Sequence, residues 1–335
     1  MSAATGSSAP ATRLIVIGAS AGGLTPLRTI TSALPPELPA TVLVVMHISS
    51  TANSVLPAIL SRGTDLSVAP AQDGMEIRHG RVIVAPPDRH LTVVDGRVEL
   101  TRGPRENGHR PAVDPLFRTA ADQYGPACAG VILSGSRDDG AVGLAQVKAN
   151  GGVTIVQDPD EATYEGMPVS ALAGTAVDFM LPAERIAELL VALAEGRVDS
   201  KKVNGAPVTP YVRQDEILSV LCPECGGTLF QGDELGVTYF HCHVGHRYSA
   251  RSLLAAHAEG VERAMWTAVR SLEDRAGLLR RMAARATATG STVSLRRFED
   301  QARAAEEQAG AIREAIAALD DTAIEPMSDP NGATS

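Results

Sequence analysis

The stretch LIVIGASAGGL, residues 14–24, decides how the rest of the chain is read. Four apolar residues, three of them β-branched, run directly into Gly18-Ala19-Ser20-Ala21-Gly22-Gly23, and a helix-like segment follows. A short apolar run of this kind reads as a buried parallel strand. Glycines then let the backbone turn where a Cβ would clash. Ser20 is thereby expected at the tip of a strand-to-helix turn. Two chemistries use that geometry: a nucleophile elbow that exposes a serine hydroxyl, and a glycine-rich phosphate cradle of the dinucleotide-binding kind. A plain tight turn with an uninvolved serine is the third reading, and the stretch by itself does not choose.

Outward from residue 24, apolar runs alternate with amphipathic segments as far as about Leu190. Expected strands are 14–17, 41–46, 81–86, 90–102 (a pair), 129–134, 152–157 and 178–181, with helices over Thr25–Ala33, Val142–Asn150 and Ala183–Ala194 among them. The alternation implies an α/β fold, a doubly wound and mainly parallel sheet with helices on both faces. Asp95-Gly96 between two alternating runs marks an antiparallel hairpin inserted into it. Residues 1–12 read as a disordered lead, 13–195 as the α/β domain and 196–214, rich in Gly, Pro and charge, as a linker. A compact Cys/His segment occupies 215–249, a helical hairpin 250–320 and a disordered tail 321–335. In the last helix Leu295, Phe298, Ala302, Ala305, Ala309, Ile312, Ile316 and Leu319 recur in steps of three and four. Met265, Val269, Leu272, Ala276 and Leu279 form a matching stripe, and residues 288–291 break the two. Such stripes serve either a hairpin that buries its own faces or a surface for a second copy or a partner.

Composition removes several classes. The 335 residues give room for about two domains. With 44% hydrophobic and 21% charged residues the chain is globular in character. A net charge of -9 argues against binding nucleic acid or an anionic membrane. No apolar run approaches the roughly 20 residues of a membrane span, and residues 1–12 lack the basic and apolar regions of a signal peptide. Three of the four cysteines crowd into 222–242, which points to metal rather than disulfides and to a cytoplasmic protein.

Few polar residues fall at expected strand ends. Ser20 follows the first strand and His47 the second. Asp138 and Asp139 lie in Ser134-Gly135-Ser136-Arg137-Asp138-Asp139-Gly140, after the run AGVILS. The carboxyl ends of parallel strands share one rim, where ligand sites gather. A serine there needs a base, and the base an orienting acid. The order Ser, His, Asp differs from that of the α/β-hydrolases, but triads are recognised by geometry. Each member also has a structural role open to it: turn serine, capping histidine, Asx-turn aspartate. The dinucleotide reading weakens, because Ser20 stands where the fingerprint needs glycine, and His47 rather than an acid ends the second strand.

Six segments in order resemble the catalytic domain of the chemotaxis protein-glutamate methylesterases of the CheB type: IGASAGGL, VVMHIS, VIVAPPDRHL, NGHRPAVDPLF, GVILSGSRDDGAVGL and IVQDPDEATYEGMPVSA. The resemblance runs from about Leu14 to Leu190. It implies hydrolysis of γ-glutamyl methyl esters on chemoreceptor helices, and in many members deamidation of glutamines, with no cofactor for the chemistry. It places the nucleophile at Ser20, the base at His47 and the aspartate at Asp139, leaving Asp138 a bystander. Arg110 matches a segment lining the substrate cleft. The Ala21 N–H, just past the nucleophile, is the natural oxyanion donor. Departures are Ala21 where the family often has threonine, and Ser136 and Arg137 where it has methionine and glycine at the cleft lip. The family's usual receiver domain is not expected in the short stretch before the first strand. A methylesterase fold that has lost activity and serves as a scaffold is the rival reading.

Cys222-Pro223-Glu224-Cys225, Cys242 and His246 form a C-x2-C-x16-C-x3-H pattern. Two such turns can close a tetrahedron around a structural Zn²⁺, and thiolate softness favours zinc over magnesium or calcium. His241 and His243 flank Cys242 as less suitable ligands. Residues 211–335 hold 13 basic against 18 acidic residues, so this zinc-ribbon-like segment carries no nucleic-acid footprint. The tail resembles extensions of stand-alone methylesterase-like proteins, a resemblance that assigns it no function.

Overall fold

The computed structural model describes residues 13–48, 54–198, 216–235, 237–288 and 291–321. The expected lead, the linker from 199 on, the tail beyond 321 and residues 289–290 of the helix break lie outside the described residues. The chain divides into two compact units at Leu254/Ala255.

The first unit is built on strands β1 (Leu14–Ala19), β2 (Thr41–Met46), β3 (Ser67–Pro70) and β4 (Arg81–Val84). A hairpin of β5 (His90–Val94) and β6 (Arg97–Thr101) precedes β7 (Cys128–Ile132), β8 (Val153–Gln157) and β9 (Phe179–Leu181). Seven of these form a sheet in the order β3-β4-β2-β1-β7-β8-β9, with every pairing parallel. Edge strand β3 was not among the expected strands. Its run SVAP is half-exposed and ends in proline, which only an edge tolerates, so it carries little apolar signal. The hairpin forms as Asp95-Gly96 demands, with φ of 48° and 70° at the two turn residues.

Alternate residues of β1 feed two cores. Ile15, Ile17 and Ala19 pack on one face with Leu27 and Ile30 of α1 (Leu24–Ala33), Leu56 of α2 (Leu56–Leu60), and Ile186 and Leu190 from the closing helix Ala183–Ala194. Leu14 and Val16 pack on the other face with Leu116 and Phe117 of α3 (Val113–Tyr124) and Leu144 of α4 (Ala141–Ala149). Met167 and Ala171 of α5 (Gly166–Gly174) and the hairpin residues Leu91 and Val93 complete that face. Helix α6 is Ala183–Ala194, as expected. Both faces of the sheet are covered, so β1, β2, β7 and β8 are apolar almost throughout. The chain builds outward from β1 in one direction, then from β7 in the other. The two strands are neighbours, and the crevice between their carboxyl ends is a topological switch point.

The same unit contains a four-stranded antiparallel ribbon, β10 (Glu216–Leu221), β11 (Thr228–Glu234), β12 (Val237–Cys242) and β13 (Arg247–Ser249). Helix α7 (Ala250–Ala288) follows β13 directly, and α8 (Thr292–Asp321) ends the described chain. In the second unit the two helices run antiparallel, since Glu273 pairs with Arg313 and Arg280 with Glu306. Val269, Ala309 and Ile316 are buried between them, with Met265, Leu272 and Ile312 alongside. The three-and-four spacing of the sequence is therefore spent, at least in part, within the hairpin. Among the described residues no helix is long and apolar enough to cross a membrane.

Candidate active site

Ser20 follows β1, and its N–H donates to the Ser134 carbonyl beyond β7 (2.9 Å). Gly22 has φ +73°, and a Cβ there would lie 2.6 Å from Thr163 and 2.7 Å from the Ser134 hydroxyl. The turn therefore closes only with glycine at that position. Ala21 is exposed, and among the described residues its N–H has no hydrogen-bond partner. That leaves a backbone donor next to the Ser20 hydroxyl, just ahead of α1.

His47 follows β2, and its N–H is held by the Ala19 carbonyl (3.1 Å). Its Nδ1 lies 3.1 Å from Ser20 Oγ and its Nε2 2.7 Å from Asp139 Oδ2. The three strand-end residues expected from the sequence thus meet in a single line. The serine is served by Nδ1 rather than by Nε2, which is the nitrogen that faces the serine in the chymotrypsin arrangement.

Asp139 is 1% exposed. Its Oδ2 also accepts the Val113 N–H at the start of α3 (2.6 Å), while Oδ1 accepts the Asn107 side-chain amide (2.9 Å) and the Asp114 N–H (3.3 Å). Burial works against its ionisation, but the hydrogen bond and charge of His47, with the Val113 N–H, hold the carboxyl well below the ordinary range. It is an anion aimed at an imidazole. Its neighbour Asp114, 4% exposed, is pushed well above the ordinary range by burial and then by the Asp139 charge. Asp114 takes the Gly143 N–H (2.7 Å) and the Asn107 amide (2.9 Å).

Three residues of this cluster were not singled out in the sequence: Asn107, His109 and Asp114. Glu106-Asn107-Gly108-His109 is a tight turn with reciprocal backbone bonds between its ends and φ of +52° and +78° at its centre. This is the type I′ geometry that Asn-Gly favours, so the dipeptide was the available signal. The turn stacks the His109 ring on His47, with centroids 3.7 Å apart and planes within 9°. Burial, and after it the proximity of His47, lowers the His109 pKa to about 3, so it remains a neutral plate against the reactive ring.

The remaining expected residues are placed as follows. Arg110 spends its guanidinium on Asp88 (2.6 and 2.9 Å) and the Gly103 carbonyl (2.7 Å), bracing the loop that carries His109. Ser136 is exposed. A Cβ on Gly108 would lie 3.7 Å from an Arg137 guanidinium nitrogen, which puts that side chain beside the 106–109 turn. Asp138 is more than a bystander. It is 7% exposed and its Oδ1 accepts the Ser252 hydroxyl (2.6 Å).

Cys222, Cys225, Cys242 and His246 converge, their ligand atoms all within 4.8 Å of one another. The turns containing them close through Gly226 N–H to Cys222 O (2.8 Å) and Gly245 N–H to Cys242 O (2.9 Å). Zn–S near 2.3 Å and Zn–N near 2.0 Å at a tetrahedral angle require S···S of about 3.8 Å and S···N of about 3.5 Å. The separations are 3.6 Å for Cys225 to Cys242, and 3.7 and 3.5 Å from His246 Nδ1 to Cys222 and Cys242. The sulfur pair is far outside disulfide length. Burial opposes ionisation of Cys242, yet its hydrogen bond to His246 helps bring its pKa to about 7, the thiolate form a metal takes.

Comparison with known proteins places this site in context. The family model described as CheB methylesterase matches residues 15–190. A Leptospira interrogans relative is 39% identical over 188 residues, 56% of this chain and 97% of its own length. An Anaeromyxobacter dehalogenans protein named protein-glutamate methylesterase/protein-glutamine glutaminase 2 is 41% identical over 53% of this chain and 52% of its own length. The crystal structure of the Thermotoga maritima CheB methylesterase catalytic domain is 36% identical, with a TM-score of 0.52 over 54% of this chain and 98% of that domain.

Proposed function

The chain belongs to the CheB methylesterase family, and on that premise we propose that it is a serine hydrolase of protein γ-glutamyl methyl esters, with glutamine side-chain amides as a second substrate. The observation that carries the reading is the continuous line Ser20 Oγ, His47, Asp139 at the switch point of the sheet. His47 Nδ1 takes the Ser20 proton as the hydroxyl oxygen bonds to the ester carbonyl carbon. The Ala21 N–H, which no described residue engages, is the proposed donor to the resulting oxyanion, and loss of such a donor costs on the order of 3 kcal/mol in other enzymes. Asp139 accepts from Nε2–H throughout, fixing the tautomer that leaves Nδ1 basic and stabilising the imidazolium. The imidazolium returns the proton to the leaving alkoxide, and methanol departs. Water, deprotonated at Nδ1, then attacks the acyl-serine and releases the carboxylate and Ser20. With an amide the leaving group is ammonia.

Cleft-lip residues Ser136 and Arg137 give the rival scaffold reading its foothold, since they replace methionine and glycine beside the turn that faces His47. The deciding experiment measures methanol release from a methylated receptor fragment by the wild type and by Ser20→Ala. Release that disappears in the variant supports the esterase. Equal background release from both would sink it and leave the scaffold. A methylated receptor-like helical protein in the cytoplasm is the proposed partner.

The Cys222, Cys225, Cys242 and His246 set is proposed to hold one structural Zn²⁺, because four ligand atoms converge within 4.8 Å, the Cys225–Cys242 and His246 separations are close to tetrahedral ones, and four protein ligands would leave no open position for chemistry. Such an ion would tie the two turns of the ribbon together, and no hydrolytic step involves it.

A further inference from the structure

Three hydrogen bonds join the end of the ribbon and the first turn of α7 to the back of the Ser20 site, and all three fall on the six residues after His246. Asn107 N–H donates to Arg247 O (2.8 Å), Ser249 N–H donates to Asn107 Oδ1 (2.9 Å), and the Ser252 hydroxyl donates to Asp138 Oδ1 (2.6 Å). Arg247 N–H adds a longer bond to Arg105 O (3.4 Å). Residues 105–107 thus cover the outer edge of β13 as an extra strand would. β13 itself begins one residue after a candidate metal ligand.

Asn107 is 3% exposed and every polar atom of its side chain is used. The amide nitrogen offers two protons, one to Asp139 Oδ1 and one to Asp114 Oδ2 (both 2.9 Å), while the oxygen takes the Ser249 N–H. This arrangement fixes which way the amide points, because the Asp139 carboxylate accepts from the nitrogen and the Ser249 N–H donates to the oxygen. The ribbon therefore holds one end of a side chain whose other end holds the acid that orients His47. Nothing in the hydrolysis itself needs residues 247–249.

Resting on the hydrolase reading, we propose that Asn107 is a positioning residue, through which the thiol–imidazole ribbon keeps the Asp139 carboxylate in line with His47. Anchoring by β13 sets the amide, the amide sets Asp139, and Asp139 sets the imidazole. When the metal leaves or the ribbon opens, the anchor is lost and the triad slackens, while the ester-binding surface outside Ser20 is untouched.

The test combines two perturbations and two readouts on the full chain. Asn107→Gly removes the amide and keeps a residue at ease with φ +52°. Metal stripping by a chelator opens the ribbon of the unaltered chain, so the proposal stays testable even if the variant folds poorly. Methanol release should show kcat reduced by about ten- to a hundredfold for Asn107→Gly, as for loss of a hydrogen bond to a charged group. KM should change by less than about twofold. Stripping should lower wild-type kcat by a similar factor, yet do little more to Asn107→Gly, because the two act on one path. Independently of turnover, the low-field NMR signal of the His47 proton shared with Asp139 should be sharp in the wild type and broadened by either perturbation. A sharp, unmoved signal in stripped protein or in Asn107→Gly overturns the proposal, as do fully additive losses of kcat. If the wild type releases no methanol while the NMR response is as described, the hydrolase reading fails and the coupling stands.

Discussion

The rim that holds Ser20 and the knuckles that hold Cys222 are two sites in one compact unit, assembled by opposite means. Ser20 meets a histidine 27 residues away, and that histidine meets an aspartate 92 residues further on. The thiol site closes within one short segment, with partners 4, 17 and 24 residues apart along the chain. The first depends on a sheet that brings strand ends to one crevice; each strand is buried on both faces and cannot shift without exposing apolar surface. The second depends on two turns and, in the proposed reading, on a metal. A site built from distant strands is as stable as the domain. A site built from knuckles is as stable as its ion.

The largest effect that would sharpen this contrast is expected from Cys222→Ser. Structural zinc contributes on the order of 10 kcal/mol to small zinc domains. Metal analysis should therefore fall from about one equivalent of zinc per chain toward none, with fast amide exchange confined to 216–249. A variant that keeps its metal, or a ribbon that stays protected without one, would break the comparison. Next comes Asp139→Asn, for which kcat should drop by about 10⁴-fold with the fold intact, the scale seen when a triad acid loses its charge. The thermal transition of the sheet should barely move, and a loss of activity that follows loss of folding would count against the assigned role.

A smaller effect concerns acid stability. Folded His109 takes a proton only near pH 3, whereas an unfolded imidazole does so near 6.5. Between those values the unfolded chain binds the extra proton. Stability is thus fully present above about pH 6.5 and is lost as pH falls toward 3, by at most about 1.4 kcal/mol per unit. His109→Phe keeps a ring against His47 and removes that slope, so urea melts at pH 4 and 7 should differ less than for the wild type; equal slopes would refute it. The smallest effect is expected in the helical hairpin, where Arg280 and Glu306 pair at the surface. Arg280→Ala should shift stability by about 0.2–1 kcal/mol, and less in high salt.

The fold was legible because its signals are those of burial. Apolar runs of strand length, separated by amphipathic helices, leave few topologies, and Asp95-Gly96 announces its own hairpin. Edge strand β3 escaped because half of SVAP faces water and no periodicity distinguishes it. In the site, Ser20, His47 and Asp139 stood out as polar residues at the ends of apolar runs. Asn107 and Asp114 did not, since a buried asparagine and a buried aspartate inside a loop-helix junction look like surface residues until their partners are known. Asp138 looked like the idle one of a pair for the same reason: Ser252, its partner, is more than a hundred residues away.

By itself, then, the sequence determined the parallel sheet, the strand-end residues, the four-ligand spacing of the ribbon and the stripes of the last two helices. Each of these is written in local pattern, in period, turn residue or spacing. Only the tertiary structure decided which histidine nitrogen faces the serine, that Arg110 braces a loop through Asp88, that His109 lies flat on His47, and that the ribbon hangs on Asn107. Those are facts of approach between segments far apart in the chain, made when the strands fix the distances at which hydrogen bonds and rings can meet.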